Sequence, residues 1–325
     1  METGTAFLNY FPLCRPADYR LVMVISAHSV TKRWGDNQVF SNLTADIPSG
    51  ITGLLGSNGS GKTTLFGMLL GLHEPNSGQL RVLGEDPAAA GPELRQRIGY
   101  SPEHHDLPID VAAQDLVRHV AEIHGLPKRE ATTRASDALW LVGLGEERAR
   151  PIGTMSTGQR QRVKLAQAIA HGPSLVILDE PTDGLDPVQR DDMLQLIRDV
   201  GTKYDMNVVL SSHLLEEVER IADNIVIIAD GQVAASGPID VLRSATGGAM
   251  IVLDDKHEMV AARLIARGVP TRIERNRLLL GTDEPIEFLA PIVAEVVADA
   301  EASLRRFGPV SQSLEDLFLT EVPAS

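Results

Sequence analysis

The stretch Gly56-Ser57-Asn58-Gly59-Ser60-Gly61-Lys62-Thr63-Thr64 decides the fold of this chain. The apolar residues 51–55 before it predict a buried strand, and residues 65–70 after it predict a helix. The spacing fits G-x-x-x-x-G-K-[ST], a phosphate-binding P-loop. Its glycines let backbone N–H groups point at phosphate oxygens. We therefore predict a nucleotide site rather than an ordinary glycine-rich turn. Lys62 serves the β- and γ-phosphates and the Thr63 hydroxyl holds Mg²⁺.

Composition narrows the class of protein. The chain has 325 residues, a formal net charge of −14 and a single cysteine. The acidic balance argues against a general nucleic-acid or acidic-membrane surface. One cysteine cannot form an intramolecular disulfide, which agrees with a reducing cytoplasm. No run approaches the roughly 18 apolar residues of a membrane span, so any membrane role requires another chain.

Residues 1–24 show no sustained period and no secretory signal. We expect a flexible N-terminal extension, or a start assigned too early with Met23 as the true start. An arm that packs on the domain is the alternative. Our expected domains are this extension, an ATPase domain at 25–243 and a C-terminal accessory or regulatory domain at 249–325.

The order of predicted elements indicates an α/β fold. From residue 25 an antiparallel hairpin precedes the P-loop strand, and strands then alternate with helices, which predicts a mostly parallel sheet covered on both faces. Residues of about 104–165 predict a helical subdomain. A linker is expected at 242–248. The remainder follows a β-α-β-β-α-β order, which resembles a small ferredoxin-like domain.

Three further residues carry candidate chemistry. Asp179 ends an apolar strand, where its carboxylate can serve Mg²⁺, and Glu180 can polarise the attacking water as general base. The alternative is an acidic helix cap. His213 closes a later strand, which is consistent with a donor to the γ-phosphate, although a lone histidine is more often structural. The predicted catalytic residues are therefore Lys62, Glu180 and His213.

Over about residues 25–240 the chain resembles ATP-binding cassette (ABC) ATPases. The motifs follow the family's order: the P-loop, the signature-like Ser156-Thr157-Gly158-Gln159, the strand ending at Asp179, Glu180, the turn Asp183-Gly184-Leu185-Asp186, and His213. The signature is the specific part, because other P-loop classes lack it. The resemblance implies a P-loop ABC ATPase core with an antiparallel β subdomain and a helical subdomain.

The resemblance also implies how two copies share ATP. Ser156, Gly158 and Gln159 of one protomer would cap the γ-phosphate bound by another, with Asp186 at the interface of the homodimer. Trp34 stands where the family places an aromatic that stacks on adenine, although a tryptophan in a strand more often packs in a core. Glu103 stands where the family usually has a metal-contacting Gln, and Thr157 replaces a usual Gly. We predict that Glu103, with Thr63 and Asp179, serves the metal.

His104, His105, His119 and His124 lack the spacing of metal ligands, so we expect them to be solvated. The last segment, Ser313–Leu319, resembles the end of ATPase subunits of bacterial drug- and antibiotic-efflux systems. The alternative is an amphipathic helix that only packs on its own domain.

The sequence therefore predicts the ATPase subunit of an ABC exporter, cytoplasmic and peripheral on the inner face of the cell membrane. ATP and Mg²⁺ are its cofactors, and a separate transmembrane permease is its partner. The rival is a soluble ABC ATPase that acts on the ribosome or a DNA-repair complex. The single P-loop, the acidic charge and the lack of long coiled coils disfavour it. A module that senses ATP without turnover is disfavoured by Glu180.

Overall fold

The computed structural model describes residues 23–103, 107–244, 249–274, 277–281, 286–300 and 302–309. They form two compact units, one that ends at Ile239 and one that begins at Asp240. The expected N-terminal extension lies outside the described residues except for its last two positions. The helix expected at residues 313–319 lies outside them altogether.

The first unit contains two sheets. Their strands are β1 (Met23–Trp34), β2 (Asn37–Pro48), β3 (Ile51–Leu55), β4 (Ser77–Val82), β5 (Ile98–Ser101), β6 (Leu175–Leu178), β7 (Asn207–Ser212), β8 (Asn224–Ala229) and β9 (Gln232–Pro238). The larger sheet has the order β5-β6-β7-β3-β8-β9. Its strands pair in parallel except at β8–β9. This confirms the predicted mostly parallel sheet.

The P-loop strand β3 lies inside this sheet, between β7 and β8, and all five of its residues are buried. Alternate residues of β6 and β7 face two different cores. Val176, Leu178, Val208 and Leu210 belong to one core, and Leu175, Ile177 and Val209 belong to the other. Both faces of the sheet are therefore covered, as near-continuous apolar strands require.

The smaller sheet has the order β2-β1-β4 and is antiparallel. It contains the predicted hairpin, whose two strands are joined by the turn at residues 35–36. Apolar residues of this hairpin, including Val30, Phe40 and Leu43, are fully buried in the core that also contains Phe66 after the P-loop. The hairpin thus packs beside the nucleotide loop.

The helices of the first unit include a helical subdomain. They are α1 (Lys62–Leu69), α2 (Gly91–Arg95), α3 (Ala113–Ile123), α4 (Lys128–Leu141), α5 (Thr157–Ile169), α6 (Pro187–Lys203) and α7 (Leu215–Ile221). The facing positions of α3 and α4 are small, and Ala113, Ala121, Ala131, Ala135 and Ala138 are buried there. The predicted helical subdomain is confirmed.

The expected linker at 242–248 is wrong in its first part, because helix α8 (Ile239–Ser244) occupies it. The Ile239 side chain is buried and Asp240 lies in the first turn, where a negative charge suits the helix dipole. Residues 245–248 lie outside the described part.

The second unit has its own core. It consists of β10 (Ala249–Leu253), α9 (His257–Ala266), β11 (Thr271–Glu274), β12 (Arg277–Leu280), α10 (Ile286–Asp299) and β13 (Leu304–Pro309). The sheet order is β11-β12-β10-β13, with every pair antiparallel. This is the predicted ferredoxin-like arrangement. Buried residues of both helices, among them Leu264 and Val293, pack with Ile251 and Leu278 of the sheet.

One expectation about histidines is wrong. His119 is exposed as expected, and His104 and His105 lie outside the described residues. His124, however, is half-buried and stacks on His171, with ring centroids 3.9 Å apart and an interplanar angle of 18°. The pair joins the residues that follow α3 and α5, a contact between segments 47 residues apart in the chain.

None of the helices in the described residues combines the length and the apolar character needed to span a membrane.

Candidate nucleotide site

Four neighbouring strands end at the same edge of the large sheet, because they run parallel. The P-loop follows β3, Asp179 follows β6, His213 follows β7, and Pro102-Glu103 follows β5. Residues placed at the carboxyl ends of parallel strands meet in one crevice. The sheet therefore assembles in space the groups that the sequence spreads over more than 150 residues.

The glycines of the P-loop are required by its backbone. Gly59 and Gly61 have φ angles of 84° and 101°, in the left-handed region that favours glycine. A Cβ on Gly61 would lie 2.7 Å from side-chain atoms of Val39 and Phe40. The loop can therefore turn tightly into α1 only with glycine at these positions.

Lys62 opens α1, and its side chain is 7% exposed. Its Nζ donates a hydrogen bond to the Gly56 carbonyl at 2.7 Å and lies 3.3 Å from Oε1 of Glu180. The ammonium is thus fixed between the beginning of the loop and the candidate general base. A buried ion pair needs such additional hydrogen bonds to offset the cost of desolvation.

Asp179 is almost completely buried and accepts two hydrogen bonds through its two oxygens. Thr63 Oγ1 donates to Oδ2 at 3.0 Å, and Ser211 Oγ donates to Oδ1 at 2.7 Å. The hydroxyl and the carboxylate that the sequence assigned to Mg²⁺ are therefore in direct contact. Oxygen ligands of this kind suit Mg²⁺.

Glu180 has a φ of 45°, in the left-handed region that side chains other than glycine rarely adopt. Its backbone N–H donates to Ser211 Oγ at 2.8 Å. Its Oε2 lies 2.9 Å from Nδ1 of His213, and because a carboxylate only accepts, Nδ1 is the donor. The carboxylate is 7% exposed, whereas the His213 side chain is 46% exposed.

A cavity of about 310 Å³ opens at this edge. The predicted site residues in its lining are Trp34, Ser57, Asn58, Gly59, Gly61, Lys62, Thr63, Thr64, Glu103, Asp179 and Glu180, whereas His213 does not line it. Gly56 and Ser60 are not part of this lining. The Ser60 hydroxyl is buried and makes no hydrogen bond with any described residue. The glycine-rich loop, Lys62 and the oxygen-donor set around this cavity together fit a nucleotide with Mg²⁺.

Trp34 lies at the rim of this cavity and is 46% exposed, so it is not a core residue. Lys32 Nζ lies 4.2 Å from the centre of its ring, a cation–π contact. The His73 ring meets it edge to face at 4.8 Å. Both neighbours hold the indole at the cavity, where the sequence had placed an adenine-stacking aromatic.

The signature residues form the N-terminus of α5 and are not among the described residues that line this cavity. Ser156 is the N-cap: its Oγ accepts from the Gln159 amide at 3.2 Å, and Gln159 Oε1 accepts from the Ser156 amide at 3.1 Å. Gly158 is buried, and a Cβ there would lie 2.8 Å from Gln189. Asp186 caps α6 by accepting from the Gln189 amide at 2.9 Å. Signature and Asp186 thus share one surface.

Comparison with known proteins identifies the family. A family model described as "ABC transporter" matches residues 40–183. The bacitracin transport ATP-binding protein BcrA of Bacillus licheniformis is 36% identical over 221 residues, which cover 68% of this chain and 71% of that protein. This chain belongs to the ABC transporter ATP-binding proteins.

Two further similarities cover different shares of this ABC transporter ATP-binding protein. The daunorubicin resistance ATP-binding protein DrrA3 of Streptomyces coeruleorubidus is 32% identical over 307 residues, 91% of this chain and 94% of its own. The structure of cbiO1 from Clostridium perfringens, part of the ABC transporter complex cbiONQ, matches with a TM-score of 0.62 and 26% identity, covering 66% of this chain and 88% of that one. The predicted fold and family are confirmed, and the protein is an ATPase that binds ATP.

Glu103, where the resemblance implied a glutamine, lines the cavity together with Asp179. Burial, and after it the charges of Asp179 and Glu103, raises the pKa of Tyr100 to about 12. The same carboxylates give this side of the cavity a negative potential that suits a cation. Thr157, the other departure, is exposed, and its methyl carbon would lie 3.6 Å from a Cβ on Gly184.

Sequence reasoning missed several residues that hold the site of this ABC protein together. Ser211 joins Asp179 to the backbone of Glu180, and the only signal was a serine at the end of an apolar strand. Glu217 is buried and accepts from Thr182 Oγ1 at 2.8 Å and Ser212 Oγ at 2.7 Å. It therefore connects the loop that follows Glu180 with the strand end before His213. No pattern along the chain predicted either contact.

Proposed function

We propose that this ATP-binding protein powers an exporter of drugs or other small molecules. It works as a cytoplasmic homodimer on the inner face of the cell membrane, bound to a separate permease chain that spans the membrane. The observation that carries the proposal is the similarity to a daunorubicin resistance ATP-binding protein over 91% of the chain, a share too large to exclude the second unit. The similarity to a bacitracin transport ATP-binding protein supports the same substrate class.

In the proposed binding step, the residues around the cavity bind different parts of ATP and the metal ion. Trp34 stacks on the adenine, with Lys32 and His73 bracing its ring. The backbone amides of residues 56–64 and the Lys62 ammonium bind the phosphates. Thr63, Asp179 and Glu103 hold Mg²⁺, which, when bound, neutralises charge on the phosphate oxygens.

In the proposed hydrolytic step, Glu180 acts as general base on the attacking water. Lys62 and His213 contact its two oxygens, which fixes the plane of the carboxylate. The left-handed backbone at Glu180, tied to Ser211, aims the side chain into the cavity. His213 donates through Nδ1 to Glu180, so its contact with the γ-phosphate would use the other ring nitrogen, Nε2.

The homodimer follows from the position of the signature. Ser156, Gly158 and Gln159 serve the ATP bound by the partner protomer, with Asp186 beside them at the interface. Their helix N-terminus adds a partial positive charge suited to a phosphate. Residues 25–243 form the ATPase domain in this proposal, and residues 249–325 form an accessory domain.

The test is affinity purification of the tagged protein from detergent-solubilised membranes of its native cell. We expect a stoichiometric polytopic membrane protein to co-purify with both the wild type and the variant Glu180→Gln. ATP hydrolysis should rise when the purified pair is placed in lipid vesicles, and only in the wild type. Recovery of ribosomal or DNA-repair proteins, with no polytopic membrane chain, would contradict the proposal.

A further inference from the structure

Lys164 is a buried cation that the proposed mechanism does not use. It lies on α5, eight residues after Ser156 and so about 12 Å along the helix axis from the signature. Its side chain is 7% exposed. Nζ donates to the carbonyl oxygens of Pro102 at 3.0 Å and of Glu103 at 2.8 Å. The signature helix is therefore bonded directly to the loop that carries Glu103.

A lysine in this position carries an energetic cost. Lysine is almost never buried without partners, and removing an ammonium from water is expensive unless its charge is balanced. The pKa of Lys164 is lowered by burial, and the carboxylates of Asp183, Glu103 and Asp179 oppose this shift. These three carboxylates lie on the loop before α6, the loop after β5 and the end of β6, so the ammonium stands among the acidic groups of the site.

We propose that Lys164 is a positioning residue: it ties the signature helix to the Pro102-Glu103 loop and balances the charge of Glu103 beside Asp179 and Glu180. The inference rests on the proposed function of this site. It explains how a carboxylate is accommodated at a position where the family usually has an uncharged Gln. Without the ammonium, the net negative charge of the site would increase where the phosphates of ATP bind.

The positioning role has a mechanical side as well. The loop backbone and the signature helix cannot separate unless two charge-assisted hydrogen bonds break. A displacement of the helical subdomain at Lys164 is therefore transmitted to Glu103, and so to the oxygen-donor set with Thr63 and Asp179. Lys164 thus links the surface proposed to face the partner protomer with the protomer's own nucleotide site.

The test is a double-mutant cycle with Lys164→Met, Glu103→Gln and the two together. Binding of a fluorescent ATP analogue is measured without Mg²⁺, and ATP hydrolysis is measured with it. We expect Lys164→Met to weaken metal-free binding and to lower the hydrolysis rate, each roughly tenfold. Adding Glu103→Gln should restore most of the metal-free binding, because it removes one negative charge from the site that has lost the ammonium. It should restore only part of the rate.

Two controls separate this role from loss of structure. Arg162→Met removes a cation from the same helix whose bonds go to Val142 and Asp192, away from the cavity, and should leave binding unchanged. Lys164→Gln keeps an N–H donor, on a side chain one atom shorter, and removes the charge, so it tests the electrostatic part if the methionine variant does not fold. Thermal unfolding of each variant is recorded beside the binding data.

The inference is overturned if Glu103→Gln changes metal-free binding equally with and without Lys164, or if Lys164→Met binds and hydrolyses ATP as the wild type does. Failure of the proposed function has a different signature, since no polytopic membrane protein would then co-purify with the wild type, while the binding and hydrolysis measured here would be unaffected. A restored affinity in the double variant supports the inference.

Discussion

Both carboxylate oxygens of Glu180 have partners, and so does its backbone N–H. Lys62 and His213 contact the side chain, and Ser211 accepts from the amide. So many contacts around a residue in an unfavourable backbone conformation indicate that its position matters for function. The network therefore indicates that removal of the negative charge at this residue should be costly for chemistry.

We expect Glu180→Gln to lower the rate of ATP hydrolysis about 100-fold or more while ATP still binds. The amide has the shape of the carboxylate and lacks its basicity. In the presence of ATP and Mg²⁺ the variant should accumulate as a dimer, measured by sedimentation. Glu216→Gln, which changes an exposed carboxylate on α7, is the matched control. Normal turnover in Glu180→Gln would remove the general-base assignment.

At the scale of elements, the N-terminus of α5 has two separable tasks. The reciprocal bonds of Ser156 and Gln159 cap the helix, and the exposed Ser156 hydroxyl is proposed to serve a phosphate. Because Oγ accepts from the Gln159 amide, its own proton remains to be donated outward. Folding and function therefore place different demands on the same side chain.

Two substitutions at Ser156 should distinguish these tasks. Ser156→Ala should cost about 1 kcal/mol of stability, the usual loss of an N-cap. Ser156→Asp should retain the cap and the stability, yet slow hydrolysis strongly, because a carboxylate repels phosphate and donates no hydrogen bond. Urea unfolding and ATPase assays measure the two effects. Equal activity of Ser156→Asp and the wild type would contradict the assignment.

The end of α5 carries a pH-dependent contribution to stability. Burial, with the neighbouring His124 as a second cause, lowers the pKa of His171 to about 3. The unfolded chain takes up this proton near pH 6.5. The contribution of His171 to the free energy of unfolding is therefore fully present above pH 6.5 and is lost as the pH falls from 6.5 to about 3. The loss at this residue should reach about 3 kcal/mol between pH 7 and pH 4.

Urea unfolding of the wild type and of His171→Phe at several pH values checks this expectation. The phenylalanine ring can still stack on His124 but has no proton to take up. Its stability should therefore fall less steeply below pH 6.5. His119→Phe, at an exposed position, should follow the wild type. Parallel curves for His171→Phe and the wild type would show that His171 takes up its proton as readily in the folded protein as in the unfolded chain.

The sequence predicted those elements whose chemistry demands particular residues at fixed spacing. The P-loop and the signature are local patterns, and the strands of the large sheet are continuous apolar runs. Lys164, Ser211 and Glu217 were not predicted, because their partners are distant in the chain and a single polar residue has no period. Helix α8 was missed since its last residues belong to the stretch 242–248, which is rich in Ser, Ala, Thr and Gly, a composition typical of a linker.

At the scale of the whole molecule, the signature residues do not line the P-loop cavity of their own protomer. This predicts that each active site is shared between two protomers. Lys62→Met and Ser156→Asp should each be nearly inactive as homodimers. A mixed dimer contains one intact site, made from the P-loop of one variant and the signature of the other. An equimolar mixture should therefore regain at most about a quarter of the wild-type ATPase rate. A mixture that stays inactive would argue against shared sites.

The position of β3 in the middle of the sheet has a consequence during synthesis. Gly50, just before β3, hydrogen-bonds to Asn207 at the start of β7, 157 residues later. At translation rates of about 5–20 residues per second, the P-loop strand leaves the ribosome roughly 8–30 s before its neighbours exist. During that interval an apolar strand has both edges unpaired. The hairpin β1–β2, made before β3, and helix α1, made directly after it, are the neighbouring segments that can shield it from other nascent chains.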